Sequence, residues 1–380
     1  MENEIIYLDN AATTKPSKAA VEAMLRAAEH FGNPSSLYGL GLDAEKLING
    51  ARAKIAGRLG IDTKCVYFTS GGTEANNTAV LGTAYARRKT GTRVITTKIE
   101  HPSVLEAFKK LEQEGFDVVY LGVDRDCRID LEELKAALNE DTTLVSVMHV
   151  NNETGVIQPV GEIKALMKKL SPNALLHCDC VQSFGKLPVE PKKWGADLVT
   201  VSAHKIHGFK GSGALCVMNG HLRPLLYGGE QQGGFRPGTE NVGGILAFGA
   251  AAEECGAVGG RLSELRNKMK ELLSERLDNI IFNGSDEYNS GSVLNVSFMG
   301  TRAEILLHAM EARGVYVSTG SACSSHKPQP SHVLTSMGLS AKEIDTAVRI
   351  SFNGSETFEQ LERAADIFKS ETETIRRFVR

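Results

Sequence analysis

The chain has 380 residues, 42% hydrophobic and 23% charged, a balance that suits a globular protein of one large domain or two. Its formal net charge of -3 supplies no global field toward nucleic acid or a membrane, so small molecules and proteins are the expected partners. Seven scattered cysteines, an odd number, argue against a disulfide framework and for a reducing, cytoplasmic setting.

The opening "MENEIIYLDNAATT" is acidic, its apolar run is too short for a signal peptide, and no later run reaches membrane-spanning length. From about residue 50 to 245, strand-like runs alternate with helical ones. "CVYFTS" (65–70) precedes the helical "TEANNTAVLGTAYARRK", and "RVITTKI" (93–99) precedes "HPSVLEAFKKLEQEG". "DVVYLGV" (117–123) precedes "DLEELKAAL", where Asp130 and Glu133 have capping-box spacing. "TLVSVMHV" (143–150), "ALLHCDC" (174–180), "DLVTVS" (197–202) and "GALCVM" (213–218) complete seven strands. Such a series predicts an α/β fold with a mainly parallel seven-stranded sheet covered on both faces. After residue 250 the rhythm changes. The long helix "RLSELRNKMKELLSERL" leads to strand "SVLNVSF", helix "AEILLHAMEARG", strand "VYVSTG", helix "KEIDTAVR", strand "ISF" and a last helix near 357–378. The expected division is a large domain over 16–250 and a smaller α+β domain formed by 1–15 with 251–380.

Ligands of open α/β sheets sit at the carboxyl ends of strands, so the residues there are the candidates. "GGTEANN" (71–77) places Gly72 and Thr73 at a helix start, an anion cradle by helix dipole and exposed N–H groups. An ordinary glycine turn with a threonine cap accounts for it equally. The segment matches neither GxxxxGK[ST] nor GxGxxG, which disfavours a Walker loop and a dinucleotide fingerprint. His101 sits where a strand turns into a helix begun by Pro102, a place where a histidine is more often a cap than a catalyst. Asn151 and Asn152 in "NNETG" are neutral donors that loop polarity explains as well. In "HCDC", strand alternation puts His177 and Asp179 on one face and Cys178 and Cys180 on the other, which argues against a tetrahedral metal site. A carboxylate ending an apolar strand, as Asp179 does, needs a cationic partner. Lys205 follows "DLVTVSAH" inward, and a buried lysine is costly unless engaged. Pyridoxal phosphate asks for this set: a lysine for its aldehyde, a carboxylate for its ring nitrogen and a cradle for its phosphate. A lysine snorkelling to the surface would explain Lys205 but not its neighbours.

The sequence resembles the cysteine desulfurases, class V members of the fold-type I pyridoxal-phosphate enzymes, nearly end to end. The likeness rests on "YLDNAATT" (7–14), "GNPSS" (32–36), "FTSGGTEANN" (68–77), "EHPSV" (100–104), "HVNNETG" (149–155), "HCDCVQSFGKLP" (177–188), "SAHKIHGFKG" (202–211), "RPGTEN" (236–241) and "STGSACSS" (318–325). It implies that Lys205 holds pyridoxal 5'-phosphate covalently, His101 stacks on the ring, Asp179 pairs the ring nitrogen and Gln182 bonds the ring hydroxyl. Gly72, Thr73, Ser202 and His204 would hold the phosphate, with Thr239 reaching in from a second subunit of a homodimer. Asn152 would lie beside the ring and Arg349 would clamp the substrate carboxylate. Cys323 would be the nucleophile, and the small residues of "GSACSS" before "SSHKPQPS" predict an accessible loop where a thiol can ionise. The implied reaction converts L-cysteine to L-alanine with a persulfide on Cys323, for delivery to an acceptor protein serving iron–sulfur cluster, thio-cofactor or tRNA synthesis. The residue count after Cys323 resembles the NifS/IscS branch. A selenocysteine lyase, or another class V enzyme, and a non-catalytic scaffold are the alternatives. One departure stands in "GGEQQGGFRPGTEN", where Gly233 takes the place of a basic residue and leaves Arg236.

Overall fold

The computed structural model describes residues 5–256, 258–319 and 330–378. Strand β1 (Ile6–Tyr7) is followed by α1 (Lys18–Glu29), α2 (Gly39–Leu59), β2 (Val66–Thr69) and α3 (Gly72–Arg87). Next come β3 (Arg93–Thr97), α4 (Pro102–Gln113), β4 (Asp117–Leu121), α5 (Leu131–Ala137) and β5 (Thr142–Met148). The sheet is completed by β6 (Leu175–Asp179), β7 (Leu198–Ser202) and β8 (Gly213–Val217), with α6 (Val160–Leu170) and α7 (Pro191–Trp194) between them. Helices α8 (Val242–Glu254) and α9 (Gly259–Arg276) lead to β9 (Ile280–Asn283), β10 (Val293–Phe298), α10 (Ala303–Ala312) and β11 (Val315–Tyr316). The chain closes with α11 (His332–Ser336), α12 (Ala341–Asp345), β12 (Ala347–Ser351) and α13 (Phe358–Phe378).

Seven strands form the main sheet in the order β2-β8-β7-β6-β5-β3-β4. All pairs are parallel except those of β8, which runs antiparallel to both β2 and β7. The near-continuous apolar runs have the physical cause expected of them, because successive residues of one strand enter different cores. Val94, Leu144 and Leu175 join α3 and α4 on one face, while Ile95, Val145 and Leu176 join α2, α6 and α8 on the other. Half of the Asp130–Glu133 box is made. Asp130 caps α5 by accepting from the Glu132 and Glu133 N–H groups, but the Glu133 carboxylate accepts from the Gly122 N–H at 2.7 Å instead of reaching back.

A second core joins β1, α9, β10, α10, β12 and α13 through Ile6, Leu265, Val296, Leu306, Ile350 and Phe368. Its sheet has the order β12-β10-β9, and β11 pairs with β1 rather than with that sheet. Strand β9 is an element that the sequence pattern did not announce. The predicted helix "KEIDTAVR" also ends early. Helix stops at Asp345, and Ala347–Ser351 pairs along β10, so Arg349 stands on a strand opposite Asn295. Cross-strand pairing of Val348 and Ile350 in the apolar core overrides the short helical pattern. Among the described residues no single helix is long and apolar enough to cross a membrane.

Candidate active site

Strands β5, β6 and β7 end together, and the loops after them enclose a cavity of about 350 Å³. Gly72, Thr73, His101, Asn152, Asp179, Gln182, Ser202, His204, Lys205 and Arg349 all line it. Residues separated by more than 270 positions thus converge at the carboxyl edge of a mainly parallel sheet, where α/β proteins bind ligands. Thr239 is exposed and does not line this cavity of its own chain, and Cys323 lies outside the described residues.

Lys205 does not sit on a strand. It ends a short 3₁₀ turn, Ala203–Lys205, after β7 and is half-buried. Its Nζ donates to the carbonyl oxygens of Ala11 at 2.6 Å and Ala12 at 2.7 Å. The opening "DNAATT" therefore supplies the wall facing the lysine, and its small side chains leave room for it. His204 beside it is pushed down to about 4, by burial first and then by the Lys205 cation, so it is neutral at physiological pH.

Asp179 ends β6 and is 5% exposed. Its Oδ1 accepts from the Val181 N–H at 2.9 Å and its Oδ2 from Asn76 Nδ2 at 2.7 Å. Asn76 was not singled out from sequence. It lies four residues after Gly72, one helical turn along the same face of α3, and that spacing was the available signal. His101 is the N-cap of α4, as its position before Pro102 predicts. Its Nδ1 accepts from the Ser103 N–H at 3.1 Å, which leaves the proton of the neutral ring on Nε2. Burial lowers the His101 pKa, Asp179 opposing and Lys205 adding to the shift.

The anion cradle has two halves. One is the N-terminus of α3 at Gly72 and Thr73; the other is Ser202 with His204. Gly213 of β8 lies between them, paired with Thr69 on one side and Ser202 on the other. A Cβ there would stand 2.8 Å from the Gly71 backbone, so only glycine lets β8 approach the cradle this closely. Ser202 Oγ is buried and has no hydrogen-bond partner among the described residues. An orphaned buried hydroxyl beside a helix N-terminus fits a phosphate group, and Asp179 with Lys205 fits the ring nitrogen and aldehyde of pyridoxal phosphate.

Arg349 is positioned by Asp9, whose Oδ1 accepts from Nη2 at 2.7 Å, and by the Asn152 carbonyl, which accepts from Nη1 at 3.1 Å. Asp9 is the second residue that sequence reading passed over, since 340 positions separate the pair. His177 is a core residue. Its ring nitrogens are held by Ser146 and Thr200 hydroxyls at 2.8 and 3.0 Å, and burial pushes it down to about 3. Arg236 pairs with Glu74 at 2.9 Å, and Gly233 has φ of +67°, a left-handed conformation that suits glycine. Burial pushes the Cys127 thiol up to about 12 and the Cys255 thiol up to about 11, and also raises Cys178 and Cys216.

The chain belongs to the class-V aminotransferase family, whose model matches residues 6–364. Within that family, it is 42% identical over 369 residues to the putative cysteine desulfurase IscS 1 of Bacillus subtilis (strain 168), covering 95% of this chain and 97% of that one. A solved structure of a NifS-like protein superposes with a TM-score of 0.91 at 35% identity, covering 97% of this chain and all of that chain. SspA, solved in complex with cysteine, has a TM-score of 0.82 at 32% identity, covering 93% of this chain and 100% of that one. The resemblance expected from the motifs is borne out, and so is the fold-type I architecture.

Proposed function

We propose that this protein is a pyridoxal-phosphate-dependent cysteine desulfurase, converting L-cysteine to L-alanine and leaving a persulfide on Cys323. The observation that carries the reading is one cavity that brings together Lys205, Asp179, His101, Ser202 and Arg349. The relatives named cysteine desulfurase, and a structural neighbour solved with cysteine, support the substrate class.

Lys205 would hold the cofactor through its aldehyde, Asp179 its ring nitrogen and Gln182 its ring hydroxyl, while Gly72, Thr73, Ser202 and His204 hold the phosphate. Bound there, pyridoxal phosphate supplies an electron sink for the substrate's Cα. Arg349, preset by Asp9 and the Asn152 carbonyl, takes the substrate carboxylate in a fork that matches both oxygens. The Lys205 amine would accept the Cα proton and give it back to Cα after sulfur transfer, and neutral His101 would move protons through Nε2. Asn76 and the Val181 N–H hold the Asp179 carboxylate aimed into the cavity. The Cys323 thiolate then attacks the substrate sulfur. An S–S bond forms, the C–S bond breaks with its electron pair left on carbon, and that carbon takes a proton to become the methyl group of alanine.

Residues 16–250 are read as the cofactor-binding domain and 1–15 with 251–380 as the smaller one, in line with the two separate cores. A cytoplasmic homodimer, with Thr239 completing the partner's phosphate site, is the assembly proposed. Leu37, Tyr38, Leu226 and Tyr227 are exposed apolar side chains suited to such an interface. The persulfide would pass to an acceptor protein of iron–sulfur cluster, thio-cofactor or tRNA synthesis. The test is mass spectrometry of the Cys323 peptide after L-cysteine is added to the pyridoxal-phosphate-loaded protein. One added sulfur is expected, absent in Cys323→Ser. Alanine release by that variant at the unsubstituted rate would overturn the assignment.

A further inference from the structure

Behind Lys205 lies a second cavity of about 120 Å³, lined by Lys186, Lys205, His207, Glu254, Cys255 and Asn353 among others. Lys186 is 6% exposed, unusual burial for an ammonium with no carboxylate in hydrogen-bond contact among the described residues. Its Nζ donates to Gln182 Oε1 at 3.2 Å. Gln182 in turn donates through Nε2 to the Ala11 carbonyl at 2.9 Å, and that same carbonyl accepts from Lys205 at 2.6 Å. Lys186, Gln182, Ala11 and Lys205 are thus linked in one chain of hydrogen bonds between the two cavities.

The direction of the Gln182 amide matters. An amide has a donor end and an acceptor end of nearly the same shape, and only its surroundings decide which faces a ligand. With Oε1 taken by Lys186, the amide turns its NH₂ toward Ala11 and the main cavity. Resting on the cofactor reading given above, we propose that Lys186 is a positioning residue that locks the Gln182 amide so that a donor, not an acceptor, meets the ring hydroxyl of the bound cofactor. Without Lys186 the Ala11 carbonyl alone favours this orientation, and an amide that rotated would turn its oxygen toward an oxygen that carries negative charge.

The surroundings of Lys186 disfavour its ammonium form, and the Gln182 oxygen is the acceptor that holds it. Burial pushes it down to about 7, with Lys205 and Arg349 adding to the shift and Cys255 opposing it. His207 and Glu254 face it across the second cavity.

The experiment is an absorbance-monitored pH titration of the pyridoxal-phosphate-loaded protein and its Lys186→Met form. A donor beside the ring oxygen, held there by the cation behind it, favours the deprotonated chromophore, so losing that hold raises its apparent pKa, by about one unit for a lost charge-assisted bond. Lys186→Gln, which keeps a donor without the charge, is expected to shift it less and serves if the methionine form does not fold. In a Gln182→Met background, Lys186→Met is expected to add little, because the effect runs through the amide. A Lys186→Met titration that superposes on the unsubstituted one overturns the proposal, as does an equal shift with Gln182 already removed. Failure of the unsubstituted protein to take up pyridoxal phosphate at all overturns the cofactor reading instead, and this proposal with it.

Discussion

Gly213→Ala places one methyl group at the narrowest point of the cofactor cradle. The added Cβ would lie 2.8 Å from both Cα and C of Gly71 and 2.9 Å from the Val201 carbonyl oxygen. All three are backbone atoms, and Val201 is held in the ladder opposite Ala214, so no side-chain rotamer change relieves the contact. Overpacking of this kind costs about 1–3 kcal/mol. Relief by moving the Gly71–Gly72 turn draws the N-terminus of α3 away from Ser202 and weakens its hold on an anion. A helix N-terminus is worth roughly 0.3–2 kcal/mol to such a ligand. The expected outcome is an apo-protein less stable to urea by about 2 kcal/mol, together with an approximately tenfold weaker pyridoxal phosphate affinity by fluorescence titration. Pyridoxal without its phosphate is expected to lose much less. Unchanged affinity for pyridoxal phosphate, or an equal loss for both ligands, would refute the placing of the phosphate between Gly72 and Ser202.

Gly50 offers the opposite case, since it is exposed on α2 with nothing within 4 Å of an added Cβ, and Gly50→Ala is expected to stabilise by about 0.5–1 kcal/mol in urea unfolding. Asp179→Asn is expected to keep pyridoxal phosphate yet lose most turnover in an alanine-release assay, because a neutral amide does not hold the ring nitrogen protonated; unchanged turnover at full occupancy would reduce Asp179 to a strand-end cap. His177 is depressed to about 3 by burial, so below about pH 6.5 the unfolded chain binds a proton that the native chain does not. Its contribution is therefore present above that pH and lost as pH falls, at about 1.4 kcal/mol per unit, and urea midpoints of His177→Gln are expected to fall less steeply between about pH 6.5 and 4 than those of the unsubstituted chain.

Much of the main sheet was legible because its signal is local. Each of the seven strands is a short apolar run with a turn or helix start behind it, and burial of the central strands on both faces leaves no polar alternation there to confuse the pattern. The candidate residues were legible for a related reason, since they occupy strand ends and helix starts where polar side chains interrupt apolar runs. His101 before Pro102 and Asp179 after "ALLHC" are such places. The reversed direction of β8, the extra strand β9 and the helix-to-strand change at Arg349 were decided by tertiary pairing. An apolar pentapeptide carries no mark of the direction in which its neighbour runs, and "TAVRIS" becomes a strand only because β10 offers it a ladder. The partners of the site residues belong to the same class. Asn76 on Asp179, Asp9 on Arg349 and Lys186 on Gln182 satisfy buried polar groups across the fold or, in the last case, four residues away in a turn. A buried charge must find some partner, which the sequence alone determines; which partner it finds depends on which chain segments the packed sheet brings within three ångströms, and only the folded structure decides that.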